Sequence, residues 1–145
     1  MLLSDVATII NPRLSINDNH HDINGDIIHI SPANITEKNE LTFSNCRFVT
    51  SANFGDNDIL QRDDIILVTA GSLNKIGNFF RYNLPMKAVI SGNQSMFILR
   101  PMIPAEELVQ ILNRKYYNFK VLATEAAGAM MYRLRKQDLE SFEIE

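Results

Sequence analysis

The chain has 145 residues, 46% of them hydrophobic, and a formal net charge of −3. This length suits one domain with a proper core, so we expect residues 1–145 to form a single domain. The apolar runs are far shorter than the roughly 20 residues of a membrane-spanning helix, the first residues lack the basic segment of a signal peptide, and a single Cys46 cannot form an internal disulfide. These features exclude a membrane protein and predict a cytoplasmic location.

The first two thirds of the sequence predict mainly strands. Ser4 and Asp5 favour the start of a helix, so we expect a short one through Val6 and Ala7. A polar loop covers residues 11–26, and alternation or short apolar runs after it are typical of strands. The predicted strands are residues 26–30, 47–50, 65–69, 76–81, 88–90 and 95–100.

The last third predicts helices and one final strand. Pro104 suits the first turn of a helix, and an apolar stripe at residues 108, 111 and 112 continues it. A second helix through Tyr116 and Phe119 is expected to stop at Gly128, and residues 139–144 alternate like a strand. The fold class predicted is therefore mixed α+β, with a twisted, largely antiparallel β-sheet, a short N-terminal helix and a C-terminal pair of helices.

The charges are segregated along the chain. Residues 1–64 hold ten carboxylates and four cations, whereas residues 65–136 hold three carboxylates and ten cations. The window from 65 to 105 has no carboxylate and contains Lys75, Arg81, Lys87 and Arg100, together with Gly-centred turns at 69–77 and 91–94. This pattern favours a polyanion bound to one face, unless the acidic first part folds back and neutralises it.

Motifs for catalysis or metal binding fail on geometry. Aligning Gly25 with the invariant glycine of a calcium-binding loop puts His20 at the first position and Ser31 at the twelfth. Calcium needs oxygen ligands at both ends of the loop, so this segment does not fit. Adjacent His20 and His21 cannot act as a helical zinc pair, and Gly77 is followed by Asn78 rather than by the Lys-Ser/Thr of a phosphate loop. We therefore expect neither an enzyme, nor a metal site, nor a cofactor.

Five segments, in order, resemble one target recognition domain of a type I restriction-modification specificity subunit. They are LLSDVATII, DIIHISPANI, QRDDIILVTAGSLNKIG, AVISGNQSMFILRP and AAGAMMYRLRKQDLESFEI. The resemblance covers nearly the whole chain. It implies sequence-specific binding of double-stranded DNA, with methylation and cleavage carried out by a methyltransferase subunit and a motor endonuclease subunit, and with a second recognition domain as a further partner.

Chemistry and loop position select the candidate DNA contacts. Lysine and arginine suit phosphates, while serine, asparagine and glutamine can read base edges. The candidates are Ser72, Asn74, Lys75, Asn78, Arg81, Lys87 and Gln94.

Three structural alternatives stay open at this stage. The glycines and Asn93-Gln94 can be turn residues, and Arg100 can hold a strand end. The later cations can form a solvated helical face, with Tyr116, Tyr117 and Phe119 in the core.

Two features point to a modified role. The sequence lacks the long spacer helix of specificity subunits, so we expect either a fragment or a free-standing domain. Its acidity predicts weak DNA binding in isolation. The alternative function is a protein-interaction or regulatory module of the same fold that does not bind DNA.

Overall fold

A computed structural model of the chain describes residues 1–16, 20–43, 46–50, 54–92, 95–125 and 131–145. Short 3-10 helices occupy Leu3–Asp5, Pro32–Asn34 and Asp56–Asp58. The strands are β1 (Ala7–Ile10), β2 (Ile27–Ile30), β3 (Arg47–Val49), β4 (Ile65–Val68), β5 (Ala70–Gly71), β6 (Phe79–Arg81), β7 (Ala88–Ile90), β8 (Met96–Pro101), β9 (Thr124–Glu125) and β10 (Tyr132–Arg133). The α-helices are α1 (Ala105–Arg114), α2 (Tyr116–Leu122) and α3 (Lys136–Glu140).

The described strands form three sheets. A four-stranded antiparallel sheet has the order β1-β8-β4-β6, a three-stranded sheet has the order β3-β2-β7, and a small sheet has the order β5-β10-β9. All pairings between these strands are antiparallel except the parallel pair β2–β7. The predicted class, mixed α+β with largely antiparallel strands, is confirmed.

The central strand β4 is buried on both faces. Its alternate side chains belong to two clusters: Ile65 and Leu67 pack with the helices, while Ile66 and Val68 pack towards β2 and β7. Because successive strand residues point to opposite faces, one apolar run can fill two cores. The four-stranded sheet therefore forms the middle layer, with helices on one side and the β3-β2-β7 sheet on the other.

The predicted N-terminal helix ends earlier than expected, because a strand takes over. The helix is one 3-10 turn in which Asp5 accepts the backbone N–H of Leu2 at 2.7 Å. From Ala7 the chain runs as β1 and pairs with β8. Helix through Val6 and Ala7 was a wrong prediction, because long-range pairing with β8 outweighs the local capping signal.

Two predictions near the C-terminus also change. The predicted strand 139–144 is wrong: α3 includes Leu139, and only Glu143 bridges to Leu2. Alternation of Phe142 and Ile144 instead reflects their burial against the helical side of the sheet. Helix α2 ends at Leu122, and the predicted stop at Gly128 lies outside the described residues.

Candidate nucleic-acid interface

The two predicted polar turns lie at the same end of the β4–β8 pair. The N–H of Thr69, which follows β4, donates to the carbonyl of Ser95, which precedes β8, at 2.9 Å. The first turn spans residues 71–77, and residues 91 and 92 of the second turn lie within the described chain. The sheet therefore brings the first turn and the start of the second to one edge, as the sequence predicted.

The 71–77 turn has a defined backbone. Its two glycines have positive φ angles, 132° at Gly71 and 90° at Gly77, which residues with side chains rarely adopt. The N–H of Lys75 donates to the Ser72 carbonyl at 2.9 Å, and the N–H of Gly77 donates to Val68 at 3.0 Å. Here the glycines are required by the turn itself.

Helix α2 holds this turn in place. The Lys120 ammonium donates to the carbonyl of Ile76 at 2.8 Å and to that of Leu73, and it lies 4.4 Å from the Tyr116 ring centroid. Burial lowers the pKa of Lys120. Sequence reasoning treated Lys120 as a surface cation, whereas it ties a helix to the candidate interface. Its only sequence signal is the i, i+4 spacing from Tyr116, which places both side chains on one helix face.

Three candidate residues lie in this turn: Ser72 and Asn74 are exposed, and Lys75 is half-buried. The Ser72 hydroxyl donates to the side-chain oxygen of Asn74, and the Asn74 amide donates to Glu37 at 3.2 Å. Lys75 is half-buried and makes no ion pair within the described chain. A hydroxyl, a carboxamide and an ammonium thus share one short turn, with the carboxylate of Glu37 beside them.

Asn78 occupies a different environment from these three residues. Its side chain is 0% exposed. Its amide nitrogen donates to the Asn74 carbonyl at 3.2 Å, and its oxygen accepts the Tyr116 hydroxyl at 2.7 Å. The carboxamide therefore serves the protein interior, and it is not available to a base edge.

The arginines of the carboxylate-free window are engaged by carboxylates from outside it. Arg81 contacts Asp63 at 2.9 Å and Glu106 at 3.2 Å, which raises the pKa of the guanidinium. Arg100 binds Asp64 through two hydrogen bonds of 2.9 and 3.0 Å. The structural alternative for Arg100 is confirmed. Neutralisation by the acidic first part therefore holds for these two cations.

The three candidate cations do not share an edge. Arg81 pairs with Ile65 at the start of β4, about 10 Å along the strand from the end that carries the first turn. Lys87 precedes β7, at the end of that strand opposite the second turn, and its carbonyl accepts the N–H of Ile28 in the neighbouring strand β2. A continuous groove through Lys75, Arg81 and Lys87 is not formed.

The second turn is constrained by close packing. A Cβ on Gly92 would lie 1.9 Å from the Pro12 carbonyl oxygen, and the Gly92 N–H donates to Leu14 at 2.7 Å. Glycine is thus required by the approach of residues 12–14. Asn93 and the candidate Gln94 lie outside the described residues.

The aromatic residues of α2 divide between core and surface. Phe119 is fully buried and stacks on Phe142 with ring centroids 4.4 Å apart, which confirms a core role. Tyr116 is half-buried, and burial raises its pKa. Tyr117 is 77% exposed, so its prediction as a core residue was wrong.

Within the described ranges, no group of three His, Cys, Asp or Glu side chains is arranged to hold a metal ion. Among the helices of that part of the chain, none is long and apolar enough to cross a membrane.

Comparison with known proteins gives a similarity of fold. No protein-family model matches the sequence, and neither does any curated protein. The fold is similar to that of the type I restriction-modification system S subunit from M. genitalium, with a TM-score of 0.61 and 11% sequence identity. The match covers 98% of this chain and 32% of the S subunit, so the chain spans about a third of that protein's length. At this identity the similarity shows the fold.

Proposed function

We propose that this chain is a DNA target recognition domain of the type I restriction-modification class. Residues 1–145 form the single domain, which reads one half of a split double-stranded DNA target and performs no chemistry. The observation that carries the proposal is the similarity to an S subunit over 98% of the chain. The order of the five sequence segments supports it independently.

The partners follow from this role. The domain directs a methyltransferase subunit and a motor endonuclease subunit to DNA in the cytoplasm, and a second recognition domain reads the other half of the target. The domain itself needs no cofactor or metal.

The DNA surface proposed is the exposed part of the 71–77 turn, with Gln94 of the neighbouring turn. Ser72 and Asn74 carry groups suited to base edges, and Lys75 carries a charge suited to a phosphate. The turn glycines and Lys120 keep the backbone fixed, so little conformational entropy would be lost on binding. Asn78 is left out because its side chain is buried, and Arg81 is left out because two carboxylates engage its guanidinium.

The test is duplex binding measured against salt concentration, with Lys75→Ala beside Lys87→Ala. Each phosphate contact adds about one unit to the salt slope, so we expect Lys75→Ala to reduce the slope by about one. Lys87→Ala is the matched control, because Lys87 precedes β7 at the end opposite the second turn, and we expect it to keep the wild-type slope. Equal slopes for wild type and Lys75→Ala would remove the turn from the interface.

The alternative is a protein-interaction or regulatory module of the same fold. The separation of Lys75, Arg81 and Lys87 favours it, because a dispersed set of cations attracts a polyanion less strongly than a groove does. Failure to bind any duplex at low salt, where electrostatic binding is strongest, would favour this alternative.

A further inference from the structure

Strand β6 has an open edge. Its inner edge bonds to β4 and the residue before it. The Tyr82 N–H donates to the backbone carbonyl of Asp64 at 2.7 Å, and the Val68 N–H donates to the backbone carbonyl of Asn78 at 2.8 Å. Because bonding alternates along an antiparallel pair, the backbone groups of Phe79 and Arg81 face the other way. Asn39 covers one of them by accepting the Phe79 N–H at 3.0 Å. In the described part of the chain, no strand pairs with Arg81 on this outer side.

A cleft separates this edge from helix α1. The cleft has a volume of about 530 Å³, within the range of ligand sites. Glu106, Gln110 and Asn113 line its helical wall, at spacings that place them along one face of α1. Asn39 and Asn83 line it from the loops that flank β6. Four of these five side chains are carboxamides, which can both donate and accept hydrogen bonds.

The two ends of the cleft differ in charge. Lys38 lines the end near Phe79. At the other end Arg81 lies between Glu106, which lines the cleft, and Asp63, which lies beside it, so two carboxylates face one guanidinium. This excess of negative charge attracts a cation and repels a phosphate. The charge pattern is therefore unsuited to DNA and suited to a ligand with a basic group at this end.

We propose that the cleft binds an extended peptide segment of a partner protein, which adds to β6 as a further strand and places a basic side chain beside Asp63 and Glu106. The free N–H and C=O of Arg81 would bond to the peptide backbone, and the carboxamides of α1 would contact its side chains. Addition of a peptide to an open sheet edge is a recurrent mode of recognition, in which the main chain supplies affinity and alternate side chains supply specificity. This role does not depend on DNA binding by the 71–77 turn.

Panning a library of random heptapeptides against the full chain tests the proposal. We expect enriched sequences with a basic residue, and synthetic copies should bind about tenfold or more weakly to Gln110→Trp, which fills the cleft and prevents two backbone hydrogen bonds. Asn118→Trp is the matched control, because Asn118 is likewise an exposed carboxamide on a helix but does not line the cleft. Its affinity should equal that of wild type.

Amide hydrogen exchange supplies a second readout at the backbone. The Arg81 N–H should exchange faster than the Phe80 N–H in the free protein and become protected when peptide binds. The proposal is overturned if no peptide is enriched, if selected peptides bind Gln110→Trp as well as wild type, or if they leave Arg81 unprotected. Protection of Arg81 by a DNA duplex instead of a peptide would also overturn it. Because Gln110 lies outside the 71–77 turn, Gln110→Trp should leave the salt slope of duplex binding unchanged.

Discussion

The buried carboxylate of Asp64 links the start of β4 to β8 through an ion pair with Arg100. Its side chain is 1% exposed and binds Arg100 of β8, and the next residue, Ile65, pairs with Leu99 of the same strand. It also accepts the Gln61 N–H at 2.8 Å. All its bonds are charge-assisted, so the carboxylate is well satisfied where it is buried.

Replacing Arg100 should destabilise the protein strongly. Arg100→Met leaves Asp64 buried without its cation, so we expect the free energy of unfolding to fall by about 3 kcal/mol. Arg135→Met is the control, because Arg135 is 54% exposed and pairs with Asp138 only at 3.4 Å, so its loss should stay below about 1 kcal/mol. Urea denaturation measures both variants. If both variants lost a similar free energy of unfolding, burial of Asp64 would not explain the effect of replacing Arg100.

His29 is a buried histidine held in its neutral form. One of its ring nitrogens shares a hydrogen bond of 3.0 Å with His21, and the side chain lies in β2. Burial, followed by the nearby His21 and His20, lowers the pKa of His29 from 6.5 to about 4. Protonating it in the folded state is therefore unfavourable.

This shift predicts a loss of stability in mild acid. Between pH 6.5 and about 4 the unfolded histidine binds a proton and the folded one does not, so stability falls as the pH is lowered through this range. The share due to His29 reaches about 3 kcal/mol at most. We expect His29→Gln to weaken this pH dependence. An NMR titration that gave His29 a pKa near 6.5 would contradict the account.

At the scale of elements, the 71–77 turn depends on the left-handed backbone of Gly77. A Cβ there would meet Tyr116 and Phe119 at an ordinary 3.5 Å, so the constraint is the φ of 90° rather than space. The turn connects β5 to β6 and carries the proposed DNA contacts.

We therefore expect Gly77→Ala to destabilise the protein by about 1 kcal/mol or more, as measured by thermal or urea unfolding. Gly55→Ala is the matched control, because Gly55 has a φ of −89° and a Cβ there would lie 3.7 Å from Asp58. Alanine lowers the conformational entropy of the unfolded chain, so Gly55→Ala should be as stable as wild type or slightly more stable. If both variants lost the same stability, backbone strain would not explain the need for Gly77.

The sequence predicts those elements best whose local pattern agrees with their tertiary role. Strands β4 and β7 are short apolar runs in which every residue is buried, and their predicted positions are confirmed to within one residue. Ile76 misled the prediction of β6, because it is buried under α2 as a turn residue rather than as part of a strand. The residue pattern alone did not predict helix α3, although Asp138 accepts the Arg135 N–H at 2.8 Å, a capping contact that the alternation of the tail concealed.

At the scale of the whole molecule, the charge segregation of the sequence is only partly kept in space. Arg81 and Arg100 form ion pairs with Asp63 and Asp64, which belong to the acidic first part of the chain, so their charges are neutralised. The sequence places those residues next to the start of β4, but which cross-strand neighbour each meets is decided by register. The exposed turn with Ser72, Asn74 and Lys75 was predictable from its residues, whereas the cleft beside β6 combines distant segments and was not.

The central claim is that this fold reads DNA through the 71–77 turn. Its most direct test is selection from a pool of random duplexes at low salt, followed by sequencing of the bound fraction. We expect wild type to enrich one short sequence motif and Asn74→Ala to relax the preference at one position, since a good bidentate base contact contributes about 1–3 kcal/mol of discrimination. A bound fraction with the same composition as the starting pool would contradict the claim.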